Sequence, residues 1–91
     1  MSDQDTPTTL LAFPCEFPIK VLGKRQAGFA QAVVDVVKRH APEFDAATLE
    51  MRVSREATYL SLTLTIRATS REQLDGLYRE LCDHPMVTMV L

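Results

Sequence analysis

YLSLTLTIRAT, residues 59–69, alternates Leu60, Leu62, Leu64, Ile66 and Ala68 with Tyr59, Ser61, Thr63, Thr65, Arg67 and Thr69. A period of two held over that length is satisfied by a strand with one face buried. One face is aliphatic, the other hydroxylated with a single guanidinium. Such a strand belongs in the middle of an antiparallel sheet, with helices packed on its apolar face and the other face wet or covered by a partner.

The pattern extends outward in both directions. Upstream, Thr48 to Ser54 alternates again, with Leu49, Met51 and Val53 inward and Glu50 and Arg52 outward, and Arg55 to Thr58 is the turn between the two strands. Pairing Val53 with Leu60, Met51 with Leu62 and Leu49 with Leu64 makes the aliphatic sets coincide. Downstream, Thr69 with Glu72 and Ser70 with Gln73 form overlapping capping boxes, which mark a helix start. Leu74, Leu77, Tyr78, Leu81 and Cys82 then make a helical apolar stripe that Pro85 ends. Met86 to Leu91 is the last strand, with Val87, Met89 and Leu91 inward.

Before the hairpin, Pro14 and Pro18 exclude a helix and lead into a first strand over Phe17 to Gly23, in which Phe17, Ile19 and Val21 oppose Lys20 and Leu22. The loop GKRQAG follows. Gln26 to His40 reads as a helix on the spacing of Phe29, Val33, Val36, Val37 and His40, closed by Lys38 and Arg39 and stopped by Pro42. The order βαββαβ predicts an α+β, ferredoxin-like domain: a four-stranded antiparallel sheet in the order 4-1-3-2 with both helices on one face. Its expected core is Ile19, Val21, Phe29, Val33, Val36, Met51, Val53, Leu60, Leu62, Leu64, Ile66, Leu74, Leu77, Leu81, Val87 and Met89.

A chain of 91 residues suffices for one core and not two. We expect a flexible N-terminal tail over 1–12 and the folded domain over 13–91. No apolar run approaches the roughly 18 residues of a membrane span, and the acidic start MSDQDTPTT is unlike a secretory signal, so a cytoplasmic location is expected. Cys15 and Cys82 lie outside any C-x-x-C spacing and are expected as reduced thiols. From Phe17 onward ten Lys and Arg face nine Asp and Glu. That balance lacks the positive field a duplex-binding domain carries.

FP-x-x-FPIKVLG, VVDVVKRHAP, the strand at 59–69, EQLDGLYREL and the terminal MVTMVL resemble the YbeD-like family of small uncharacterised bacterial proteins, over Phe13 to Leu91. The resemblance implies a ferredoxin-like fold akin to ACT regulatory domains, which bind amino acids or other small ligands, often between subunits. It brings no established catalytic residue. Gly28-Phe29-Ala30 is similar to the Gly-aliphatic pair that opens the first ACT helix, where backbone N–H groups meet the ligand.

The residues themselves point away from catalysis. His40, His84, Cys82 and Cys15 have no metal-ligand spacing on one element, so Cys82 reads as a packed thiol and His84 as a loop imidazole, and neither a metal nor another cofactor is expected. Neither cysteine has a cationic sequence neighbour to activate it, and the carboxylates are scattered. No enzyme is expected. For RNA the open sheet face offers Tyr59 alone as a stacking platform beside Lys20, Arg52 and Arg67, so a nucleic-acid partner is disfavoured.

Two uses of the surface remain. The first is a regulatory module that binds a small anion or carboxylate at Gly23, Lys24, Arg25, Gln26 and Gly28, where two glycines, two cations and a helix N-terminus coincide. The bland reading of that loop is a plain connection carrying solubilising charge. The second is a homodimer or protein-interaction module acting through Leu22, Met86, Thr88 and Val90, since the last strand has no charged side chain to protect its edge. Glu50, Arg52, Arg55 and Glu56 are expected to guard the opposite edge, and the Leu10 to Phe13 lead is the alternative cover for the last strand.

Overall fold

The computed structural model describes residues 12–91. The expected tail up to residue 11, and with it Leu10 and Leu11 of the expected cover, fall outside them. The strands are β1 (Cys15–Lys24), β2 (Glu50–Val53), β3 (Tyr59–Ala68) and β4 (Val87–Val90); the helices are α1 (Phe29–His40) and α2 (Arg71–Asp83), with a 3-10 turn at Ala46–Thr48. The sheet order is β2-β3-β1-β4, the antiparallel arrangement read from the sequence. Leu60, Leu62, Leu64, Ile66 and Ala68 of β3 are all buried, and the helices pack on that face through Phe29, Val33, Val34, Val36, Val37, Leu74, Leu77 and Leu81. Phe44, beyond the expected core, closes its end.

Every residue of β1 pairs with β3, from Cys15 opposite Ala68 to Lys24 opposite Tyr59. That run includes Pro18, which has no N–H to give. Lys20 and Leu91 exchange backbone hydrogen bonds across to the β4 side, whereas Arg25 N–H donates to Thr58 O on the β3 side. Even-numbered residues of β1 therefore turn their backbone groups away from β3. Pro18 faces the flank that β4 does not reach, so its missing donor breaks no ladder bond.

The β1–β4 ladder corrects the expected facing of the last strand. Val21 pairs with Val90 and Leu22 with Met89, but Gly23 pairs with Val87, so Thr88 is the extra residue of a bulge. Parity reverses there. Val87 and Val90 both lie on the helix side, half-buried, while Met89 joins Leu22 on the open face at 50% exposure. Met86 is half-buried against the core. Thus Met89 is not core, and neither Met86 nor Val90 faces outward as expected.

β2 shows a different departure. Met51 is opposite Leu62 and Val53 opposite Leu60, as the hairpin parity requires, yet Met51 is 54% and Val53 49% exposed. Their side of the sheet is correct, but the helices stop over β3 and leave β2 uncovered. The expected Leu49–Leu64 pair does not form, because Thr48, whose backbone would make the next ladder bonds with Thr65, donates its N–H to Asp45 O in the 3-10 turn. Cys82, expected in the α2 stripe, is exposed: it lies one residue beyond Leu81, about 100° round the helix toward solvent.

Candidate functional site

The disparity between β2, four residues, and β3, ten residues, shapes a concavity at the sheet edge. In the β2–β3 hairpin Ser54 N–H donates to Tyr59 O, so odd-numbered residues of β3 turn their backbone groups toward β2. β2 pairs only as far as Thr63. Beyond it, Thr65 and Arg67 present edge groups that no neighbouring strand meets among the described residues. The chain between α1 and β2 bows around this bare edge: Phe44 tucks into the core, Asp45 Oδ1 accepts from Ala47 N–H at 2.9 Å, and Thr48 Oγ1 donates to Asp45 O at 2.7 Å.

Between edge and loop lies a hollow of about 570 Å³, lined by Glu16, residues 40–45, Thr48, Thr65, Arg67, Thr69 and Gln73. Gln73 fixes its floor. The Nε2 amide donates to His40 O at 2.8 Å, Oε1 accepts from Thr69 N–H at 2.7 Å, and Ser70 Oγ accepts from Gln73 N–H at 3.1 Å. The expected Ser70–Gln73 capping pair thus forms, with the glutamine reaching back one residue further and also tying α2 to the end of α1. Beside it, Glu80 binds Arg39 and, at 2.7 Å, His40 Nε2. The Arg39 hydrogen bond first, and that of His40 second, hold the Glu80 carboxyl below the usual carboxylate range.

The hollow carries both signs. Arg67 and Glu16 are cross-strand partners, and Glu43 and Asp45 stand on the loop wall. Arg67 and the free edge N–H groups are donors; the carboxylates are acceptors. Arg67 lies on the wet face, as the alternation of β3 predicts, and the cavity beside it arises from the 41–48 loop, which no local pattern encodes.

The glycine-bounded loop is only partly assembled as expected. Gly23 belongs to β1 and is buried; a Cβ there would overlap the Phe29 ring and the Met86 carbonyl oxygen, so its glycine serves packing. Lys24 ends β1 opposite Tyr59. Arg25 is tied to the hairpin turn, with N–H on Thr58 O at 2.8 Å and Nη1 on Ala57 O at 3.4 Å. Gln26 O accepts from Phe29 N–H, and Gly28, at φ 86°, takes a left-handed conformation that delays α1 to Phe29. No side chain among the described residues caps that helix start. Lys24, Arg25, Gln26 and Gly28 are exposed in one turn, with Gly23 beneath them.

Of the expected interface set, Leu22 remains on the open face and Thr88 is exposed, while Met86 and Val90 turn toward the helices. Among the described residues no three His, Cys, Asp or Glu side chains converge as metal ligands. The imidazole of His84 instead accepts from Met86 N–H at 3.1 Å. No helix among the described residues is long and apolar enough to cross a membrane.

Comparison with known proteins places this architecture. Residues 8–91 match the family described as "Protein of unknown function (DUF493)". The chain belongs to this family. A UPF0250 protein of Nitrosomonas europaea is 60% identical over 86 residues, covering 94% of this chain and 99% of the relative. One of Bordetella pertussis is 55% identical over 83 residues, 91% of each chain. Among solved structures, a protein from H. pylori superposes with a TM-score of 0.77 at 16% identity, covering 100% of this chain and 93% of that one. The ACT domain from GTP pyrophosphokinase of Chlorobium tepidum gives 0.62 at 17% identity over 84% of each chain. The DUF493 fold seen here is thus ACT-like, as the sequence resemblance implied.

Proposed function

We propose that this protein is a non-catalytic regulatory module that takes a small carboxylate-bearing ligand in the hollow beside β3. The observation that carries this reading is the bare edge at Thr65 and Arg67, lining a cavity of about 570 Å³ with the Arg67 guanidinium on its wall. Two backbone donors and a planar cation are suited to a carboxylate. Glu16, Glu43 and Asp45 suit a positive group on the same molecule, so a zwitterion fits better than a simple anion. The ACT-like fold supports a regulatory role, because the solved ACT domain is one part of an enzyme.

A titration with amino acids, small dicarboxylates and phosphorylated metabolites, read by backbone amide shifts, tests this. Shifts at Thr65, Arg67, Thr69 and Gln73, weakened at least about tenfold by Arg67→Ala (~1.4 kcal/mol), are expected. A second reading keeps the ligand at Lys24, Arg25, Gln26 and Gly28, favoured by the uncapped start of α1 beside two cations. Shifts confined to residues 24–31 would move the site there. Silence of both regions across the panel would remove the ligand-binding role.

A further inference from the structure

The open face of the sheet, opposite the helices, carries a depression separate from the hollow. Cross-strand pairing sets its side chains in two adjacent rows, Lys20–Thr63–Glu50 and Leu22–Ser61–Arg52. The two cations stand at diagonal corners and the two hydroxyls lie between them. Short residues in the middle and long ones on the flanks leave a space of about 360 Å³, lined by Lys20, Glu50, Met51, Arg52, Ser61 and Thr63. Lys20 exchanges its backbone bonds with Leu91, so Lys20 and Thr63 are a non-hydrogen-bonded pair, the kind whose side chains approach most closely. The hydroxyls of Thr48, Ser54, Thr58 and Ser70 are engaged at turns and helix starts, whereas those of Ser61 and Thr63 have no partner among the described residues. Nor, among those residues, does any ion pair involve Lys20, Arg52 or Glu50, since the ion pairs there join Glu80 to Arg39 and His40. Donors of both kinds therefore converge with nothing of the protein's own to receive them.

We propose that this depression binds a small phosphate monoester with a hydroxylated body, of which a sugar phosphate is the type. A phosphate monoester carries close to two negative charges and three acceptor oxygens at neutral pH. Seated over Ser61 and Thr63, it takes a hydrogen bond from each hydroxyl beneath it, while Lys20 and Arg52 reach it from opposite corners. A planar carboxylate, with two oxygens, serves donors on three sides less well. Glu50 decides what the phosphate is attached to. It shares the row of Lys20 and Thr63 and can only accept while ionised, so it repels a bare anion but takes a hydroxyl from the body of an ester. Leu22, at the fourth corner, offers that body an apolar contact. Thr65 and Arg67, which serve the hollow, lie further along β3, and the proposal is independent of the carboxylate ligand placed there.

The test is titration of the full chain with glucose 6-phosphate, inorganic phosphate, glucose and a uridine hexanucleotide, read by backbone amide shifts. Glucose 6-phosphate is expected to move Lys20, Arg52, Ser61 and Thr63, and glucose to move none of them. Lys20→Ala and Arg52→Ala, both at exposed positions, are each expected to weaken the ester about fivefold, the size of one exposed ion pair. Inorganic phosphate is expected to bind about threefold more weakly than the ester, for want of the hydroxyl on Glu50. Glu50→Ala should reverse that order of preference, tightening inorganic phosphate and removing the ester's advantage. No binding of the ester up to about 10 mM overturns the proposal. So do shifts that fall on Thr65, Arg67 and Gln73 or on residues 24–28 instead, an affinity indifferent to both cation variants, or a preference for the ester that survives Glu50→Ala. A hexanucleotide that binds more tightly than the ester at equal concentration of phosphate groups overturns it in favour of a nucleic-acid face.

Discussion

β2 and β4 are the two edges of one sheet, each four residues long, and they are finished in opposite ways. β4 carries no charge, but α2 lies over it and the bulge at Thr88 turns Val87 and Val90 toward the helices. β2 keeps regular pairing and alternating charge, but no helix among the described residues covers it. Charge along a strand bears on its backbone edge, whereas helix cover bears on its face, and the two vary independently here.

The sharpest contrast lies across a single rung. Leu62 and Met51 are cross-strand partners on the same side of the sheet, one at 0% and the other at 54% exposure. Leu62→Ala is expected to lower unfolding stability by about 2–5 kcal/mol, and Met51→Ala by less than about 1 kcal/mol, by urea denaturation. Comparable losses would mean that a helix covers β2 after all. Gly23→Ala attacks the other edge, forcing a methyl group into the Phe29 ring and the Met86 carbonyl. A loss of about 1–3 kcal/mol is expected, with faster amide exchange in β4; unchanged exchange would separate the bulge from that packing.

A smaller effect compares equivalent valines. Val90→Lys buries part of an ammonium stem under the helices and should cost about 1–2 kcal/mol, whereas Val53→Lys should stay within about 0.5 kcal/mol. Equal costs would erase the distinction between the edges. The smallest effect is the acid limb of the stability curve. The Arg39 and His40 hydrogen bonds depress the folded-state pKa of Glu80, so its contribution is full above the unfolded carboxyl pKa and fades as pH falls through the lower folded value. Glu80→Gln is expected to flatten that part of the profile; an identical acid limb would show the ion cluster to be idle.

The alternation of β3, the Ser70 cap and the hairpin parity were legible because each depends on residues close in sequence. The facing of β4 was not, since it turns on Gly23 and Phe29 meeting around a bulge. Nor was the exposure of Met51 and Val53, which follows from where helices on other parts of the chain come to rest. Gly23 and Gly28 look alike in GKRQAG, yet one makes room for a ring and the other supplies a left-handed turn. The hollow was invisible for a related reason: it is defined by what β2 fails to cover, and Gln73, marked as a cap, gave no sign of reaching His40 O.

Pro18 has a consequence in time as well as in space. A chain grows at roughly 5–20 residues per second in synthesis, so β1 is complete for some seconds before β3 exists to pair with it. Until then both flanks of a future central strand lack their partners. A residue with no donor on the flank that is never fully closed makes β1 a poor template for misassembly, and it does so without removing one bond from the ladder the finished protein needs.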